Sequence, residues 1–238
     1  MERKIFIAST ERRSGKSVIT IGLMSALQGI IPSVGYMKPI GQRFAEGGKF
    51  DEDAILVRDI FDLKDPLDSI NPSTMLEAQE DKDRMFEKVF DSYKTISSGK
   101  DMVIIEGTDY TSTISALEFD INAELAHNLL APVLLVASGY RRSLEEIVQT
   151  VAEVTESFRA MNCNFLGVVV NRLDSASFSR DTDQLRSMFK SRGITLFGAL
   201  PPHPTLSKPR LSEVAERLGA KVVYQGDDEL TKALFQFL

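Results

Sequence analysis

Six short apolar runs recur along the chain, each followed by a segment of helical pattern: "KIFIAS" (4–9), "SVGYMKPI" (33–40), "DMVIIEG" (101–107), "PVLLVAS" (132–138), "NFLGVVVNR" (164–172) and "ITLFGALP" (194–201). A seventh, "AKVVYQG" (220–226), lies near the end. Strands apolar on both faces belong to a sheet covered on both sides, and parallel neighbours need a crossover of a dozen or more residues. The pattern predicts a three-layer α/β fold, with a mostly parallel sheet of about seven strands and helices on both faces. With 238 residues, a single domain over 1–238 is the expectation.

The intervening segments specify the helices. Residues 16–28 place Val18, Ile21, Gly22 and Ala26 near one face. Residues 51–63 carry Ile55, Ile60 and Phe61. Residues 80–99 are strongly amphipathic, with Met85, Val89, Tyr93 and Ile96 at helical spacing and Gly99 as the closing residue. Further helices are expected over 119–131, 143–160 (opened by a Ser143–Glu146 capping box), 178–192, 210–219 and 227–238. Residues 64–79, with two prolines and several polar residues, read as a long surface connection able to carry substrate contacts.

Charge and cysteine content narrow the function. The net charge of −6 argues against general affinity for nucleic acid or anionic membrane, both of which reward basic surfaces. The single cysteine, Cys163, rules out an intrachain disulfide and reads as a buried structural thiol. His127 and His203 are too far apart in sequence to suggest a histidine-rich zinc site. The N-terminal apolar run is too short for a signal peptide, and no run reaches the length of a membrane span. A cytoplasmic protein is expected.

The chemistry concentrates at strand ends. "STERRSGKS" (9–17) joins the first strand to the first helix and ends in Gly15-Lys16-Ser17, the back half of the phosphate-loop pattern G-x-x-x-x-G-K-S/T, with Thr10 in the place of the first glycine. Such a loop offers backbone N–H groups, a helix N-terminus and a cation to an anion. Residues Thr10, Glu11, Arg12, Arg13, Ser14, Gly15, Lys16, Ser17 and Val18 are therefore the candidate nucleotide cradle. Lys16 would reach the outer phosphates and Ser17 would hold Mg²⁺ by its hydroxyl. Lys38 ends the second strand, Asp51 and Asp53 open the next helix, and Glu106 ends the third strand. Together they set a cation and carboxylates around the phosphate site. Ser17, Asp53 and Glu106 satisfy what a nucleotide-bound Mg²⁺ asks of a protein. Singly, each has a plainer reading: a snorkelling lysine, helix N-terminal charges, a turn cap. Asn171 closes the fifth strand and Pro201 the sixth, where a base edge could be met; Asn171 as a simple turn residue is the alternative.

The order "T-x-E-x-x-S-G-K-S", "GYMKP", Asp53-Ala54, "EG" at 106–107, "PVLLV", "GVVVN" and "GALP" resembles dethiobiotin synthetases and their relatives over nearly the whole chain. The resemblance implies a P-loop NTPase-like fold that uses MgATP to activate a carbamate. It assigns Lys16 and Lys38 to catalysis, Ser17, Asp53 and Glu106 to the metal, and Asn171 and Pro201 to the adenine. It also implies a homodimer. Two stretches depart from it. Where those enzymes have a glycine-rich run there is "EGTDYTST" (106–113), and the turn after Lys38-Pro39 carries Gln42 and Arg43. The ATP half is kept and the acceptor half, near Lys38 and Thr108–Tyr110, is rebuilt.

"KPIGQ", "EGT", "FDINAELAHNLLAPVLLV" and the tail from Leu200 are similar to the dethiobiotin-synthetase-like domain at the N-terminus of long phosphate acetyltransferases and DRTGG-domain proteins. That branch implies a nucleotide-binding regulatory or ATPase module working with a covalent or non-covalent partner domain of DRTGG or acetyltransferase type. The alternative expectation is an ATP-dependent ligase forming a carbamoyl or acyl phosphate, as in dethiobiotin synthesis or cobyrinate amidation.

Overall fold

The computed structural model describes residues 3–44, 47–109, 115–203 and Gly219. A sheet of six strands forms its centre: β1 (Arg3–Ser9), β2 (Val34–Met37), β5 (Met102–Glu106), β6 (Val133–Ser138), β7 (Phe165–Asn171) and β8 (Leu196–Leu200). Their order is β2-β5-β1-β6-β7-β8, and every pairing is parallel. The six strands match the six apolar runs. The seventh run, and the helices expected over 210–219 and 227–238, lie outside the described residues.

The helices are α1 (Lys16–Gln28), α2 (Glu52–Ile60), α3 (Leu67–Ile70), α4 (Met75–Glu80), α5 (Lys82–Ser97), α6 (Ser115–Asn128), α7 (Leu144–Ala160) and α8 (Phe178–Ser191). The β1–α1–β2 crossover runs toward one edge of the sheet and the β5–α6–β6 crossover toward the other. Right-handed connections in opposite directions place helices on both faces. Strands β5 and β6 are buried along their whole length, which is why they read as unbroken apolar runs. Local signals hold where they are strongest. Met85, Val89, Tyr93 and Ile96 form the buried face of α5, Gly99 follows it at φ +71°, and the Ser143–Glu146 capping box opens α7. Cys163 is buried, donates to Ala123 O at 3.2 Å, and its thiol pKa is raised by burial. Among the described residues no helix is long and apolar enough to cross a membrane.

Three expectations are corrected. Helix α1 buries Lys16, Ile19, Thr20 and Met24; of the four residues expected to share a face, Ile21 packs half-buried against the core, whereas Val18, Gly22 and Ala26 are exposed. The helix is apolar on two sides: the second side lines a trough with Leu134, Leu166, Val169 and Phe197, so spacing alone does not choose between them. The second run breaks at Lys38-Pro39, and Ile40–Gly41 (β3) leaves the sheet to pair in parallel with Ser73–Thr74 (β4). Residues 64–79 are not a surface connection. They hold α3, β4 and α4 and bury Ile70, Asn71, Ser73 and Ala78.

Candidate functional site at the carboxyl edge of the sheet

All six parallel strands end at one edge. The chain leaves β1 toward β2 on one side and leaves β5 toward β6 on the other, so a crevice opens at the carboxyl end of β1, where ligands of open α/β sheets collect. Residues 9–17 fill it. Gly15 is the N-cap of α1 at φ +92° and offers no side-chain cap, and no acidic residue sits in the first turn. The positive end of the helix is thus left to an outside anion. Arg13 also takes a left-handed φ, +59°. Arg12 and Arg13 are exposed, Thr10 and Glu11 half-buried, and Val18 exposed. Ser14 is buried, and its Oγ has no partner among the described residues.

Asn171 supports this loop from below. Its Nδ2 donates to Ser14 O at 2.9 Å, and a Cβ on Gly15 would stand 2.0 Å from the same nitrogen. Gly15→Ala therefore meets both a left-handed φ and a buried, bonded amide. We expect a loss of roughly 1–3 kcal/mol, read as a melting temperature lower by several degrees. An unchanged melting temperature would contradict this loop geometry.

Toward β5 and β2 the site is a buried charge cluster. Ser17 Oγ lies 2.8 Å from Glu106 Oε1 and 3.0 Å from Asp53 Oδ2. Lys38 Nζ reaches Asp53 at 3.2 Å, Glu106 at 3.3 Å and Asp51 at 3.7 Å. Lys16 Nζ reaches Asp109 at 2.7 Å and Glu106 at 3.7 Å. Arg43 pairs with Asp53. Burial alone would push the Glu106 carboxyl up; the Lys38 and Lys16 ammonium groups and the Ser17 hydroxyl hold it down at about 2. Burial opposes the charge on Lys38 too, but Glu106, Asp51 and Asp53 raise its pKa above the ordinary value. Tyr36, buried and within 3.3 Å of Glu106, is raised by burial and by that carboxylate, so it stays a neutral donor.

Four carboxylates (Asp51, Asp53, Glu106, Asp109) face three cations (Lys16, Lys38, Arg43). The remaining negative charge and the all-oxygen set of Ser17, Asp53 and Glu106 suit a hard divalent cation. Among the described residues no three His, Cys, Asp or Glu side chains gather as a metal cage. A carboxylate pair with a hydroxyl fits Mg²⁺ held mainly by water and phosphate.

Further side chains hold the cluster in place; of these the sequence singled out Asp51, as a helix-opening charge, and Gln42, but not Asn71 or Asn122. Asp51 caps α2: its Oδ2 accepts from the N–H groups of Gln42 and Arg43 at 2.8 and 2.9 Å, and its Oδ1 accepts from Asp53 N at 2.9 Å. Asn71 accepts from Asp51 N and donates to Lys38 O, both at 2.9 Å. Asn122, fully buried in α6, accepts from Thr108 N at 2.9 Å and donates to Thr108 O at 3.3 Å. Gln42 grips the next residue in the same manner, accepting from Asp109 N at 2.7 Å and donating to Asp109 O at 2.9 Å. No signal in the sequence set Asn122 apart in a helix that also carries Asp120, Glu124, His127 and Asn128; Asn71 sat in a segment read as surface.

On the β6–β8 side, Arg172 donates to Arg13 O at 2.6 Å and Ser138 Oγ at 2.9 Å, and Arg142 pairs with Glu11. Pro201 is exposed just past β8. Thus Lys16, Ser17, Lys38, Asp53 and Glu106 come together, the loop and Asn171 lie beside them, and Pro201 stands at the far end of the edge. Tyr110 lies outside the described residues.

Comparisons with known proteins agree with this architecture. The chain is 27% identical over its whole length to phosphate acetyltransferase of Synechocystis, of which it covers 34%, and 26% identical over 94% of its length to phosphate acetyltransferase of Nitratidesulfovibrio vulgaris, of which it covers 33%. It therefore spans about a third of the length of these relatives, corresponding to their N-terminal part. Among solved structures, a plasmid partition protein from Borrelia burgdorferi bound to AMPPNP is similar over 98% of this chain and 94% of its own, with TM-score 0.56 and 14% identity. The MinD cell division protein of Aquifex aeolicus is similar over 86% of this chain and 84% of its own, with TM-score 0.52 and 16% identity. These likenesses establish a shared P-loop fold. The family model AAA_26, described as an AAA domain, matches residues 3–210, and the chain belongs to that family.

Proposed function

We propose that this domain binds MgATP at the carboxyl edge of its sheet and acts as a regulatory or weakly hydrolytic nucleotide module of the phosphate acetyltransferase N-terminal type. The observation that carries the reading is the meeting of the Ser17 hydroxyl with two carboxylates and two lysines beside an open helix N-terminus. In this reading the N–H groups of residues 13–17 cradle the phosphates, and Lys16 draws on the outer ones. Ser17, Asp53 and Glu106 hold Mg²⁺, directly or through water. The metal, when bound, neutralises charge on the phosphate oxygens. Lys38, kept charged by its neighbours, stands where charge would develop on a transferring phosphoryl group. Asn171 and Pro201 border the side on which the base would lie. Homodimerisation and a DRTGG-type or acetyltransferase partner domain belong to the same proposal.

Lys38 favours a second reading, an ATP-dependent ligase that forms an acyl or carbamoyl phosphate. The acceptor side weighs against dethiobiotin synthesis, because Gln42, Arg43 and Asp109 fill the space beside Lys38 with paired polar groups. One assay tests what the two readings share and a second separates them. MgATP should raise the melting temperature; no shift at millimolar concentration would end the nucleotide reading. Diaminononanoate, bicarbonate and MgATP should give little dethiobiotin, and efficient turnover would put the ligase reading first.

A further inference from the structure

The residue at the centre of the rebuilt segment, Asp109, has a use that phosphate binding and metal binding do not explain. Lys16 is almost wholly buried, and its ammonium bonds the Asp109 carboxylate at 2.7 Å. A phosphate-loop lysine offers that ammonium to the outer phosphates of a nucleotide. The carboxylate therefore stands on Lys16 as a phosphate oxygen would.

Nor is Asp109 there by chance of an unconstrained loop. The Gln42 amide holds its N–H and its carbonyl, and the Asn122 amide holds both groups of Thr108. Two successive residues are thus gripped at all four backbone polar groups by two side-chain amides. Just before them, Gly107 runs so close to the Asn122 amide that a Cβ there would stand 2.6 Å from Oδ1. The grip ties the turn after β5 to the turn after β3, and Asp51 anchors that second turn through the N–H groups of Gln42 and Arg43. Asp109 thus carries its negative charge on a clamped stretch of backbone beside the phosphate-loop lysine.

We infer that Asp109 is a specificity-determining residue that disfavours a terminal γ-phosphate, so that the site holds nucleoside diphosphate in preference to triphosphate until the turn carrying Asp109 is drawn away from Lys16. The inference rests on the nucleotide reading above and deepens it. The physical basis is like-charge repulsion. A diphosphate competes with Asp109 only for Lys16. A triphosphate does so too, and sets a further phosphoryl group beside a carboxylate whose backbone the amide clamp keeps in place. Release of the Gln42 clamp would then be the step that admits triphosphate.

The test is calorimetric titration of Mg²⁺ADP and Mg²⁺ATP into the wild-type chain, Asp109→Asn and Gln42→Ala. Asp109→Asn keeps the size of the side chain and the backbone bonds to Gln42. It should tighten Mg²⁺ATP about tenfold or more and Mg²⁺ADP less than about threefold. Gln42→Ala, with Asp109 intact but unclamped, should move the ATP-to-ADP ratio in the same direction by a smaller factor. Equal changes for both nucleotides would overturn the inference while leaving the nucleotide reading standing. Weaker Mg²⁺ATP binding by Asp109→Asn would also overturn it, and would make Asp109 a contact of the bound metal. Binding of neither nucleotide to any of the three proteins, each shown folded by circular dichroism, would remove the nucleotide reading itself.

Discussion

In the Lys16→Ala variant, MgATP at a hundred times the wild-type dissociation constant is expected to leave the melting temperature where it was. In the wild type the same concentration should contribute about 2.7 kcal/mol to the folded state. For a chain of this length that corresponds to a rise of roughly 5–11 °C. Lys16 is the buried cation of the loop, whereas Arg12 and Arg13 are exposed, and removing it strips the site of the group proposed to meet the outer phosphates. Its removal also leaves Asp109 and Glu106 facing one another with one cation fewer, so the variant should melt somewhat lower without ligand. The measured quantity is therefore the ligand-induced shift within each protein. A full shift in Lys16→Ala would place the nucleotide somewhere other than this loop.

The second large effect concerns stability. Lys38 is fully enclosed and lies within ion-pair distance of Asp51, Asp53 and Glu106. Lys38→Met leaves those carboxylates without their shared cation. Removing one partner of a buried pair costs about 3–5 kcal/mol, here a melting temperature lower by roughly 6–20 °C. Adding Glu106→Gln should return part of the loss, because it removes one of the stranded charges. The same network carries a pH dependence. Glu106 titrates at about 2 in the folded chain against an ordinary value of 4.5, so the folded state binds fewer protons than the unfolded chain. Its contribution is complete above about pH 4.5 and is lost as pH falls toward 2. In Glu106→Gln the acid limb of the stability profile should be shallower across that window. An equally steep limb would mean that Glu106 is not held down by the two lysines.

The parts of the molecule that were legible in the sequence are those set by short-range rules. Six apolar runs gave six strands because both faces of a parallel sheet are buried, and the capping box of α7 is a local device. The strand-end residues Lys38, Glu106 and Asn171 could be located because parallel strands deliver their carboxyl ends to one edge. What stayed hidden depends on contacts between distant segments. Asn71 reaches back to Asp51 and Lys38 from a stretch that looks like a loop, since its prolines and polar residues say nothing of what the rest of the chain packs over it. The outward side of α1 also carries apolar residues, Val18 and Ala26, so periodicity did not single out the buried side. Gln42 and Asp109 stood out only as departures from a resembling family; their reciprocal bonds need the turns after β3 and β5 to meet.

One metal-dependent nucleotide site is expected where α1 begins, between the ends of β1, β5 and β2. Isothermal titration of ATP into the wild-type chain, with Mg²⁺ and with the metal chelated, tests it most directly. Saturable binding of one nucleotide per chain is expected, markedly weaker once Mg²⁺ is removed. Absence of binding heat at millimolar ATP with Mg²⁺ present, or an affinity indifferent to the metal, would contradict it.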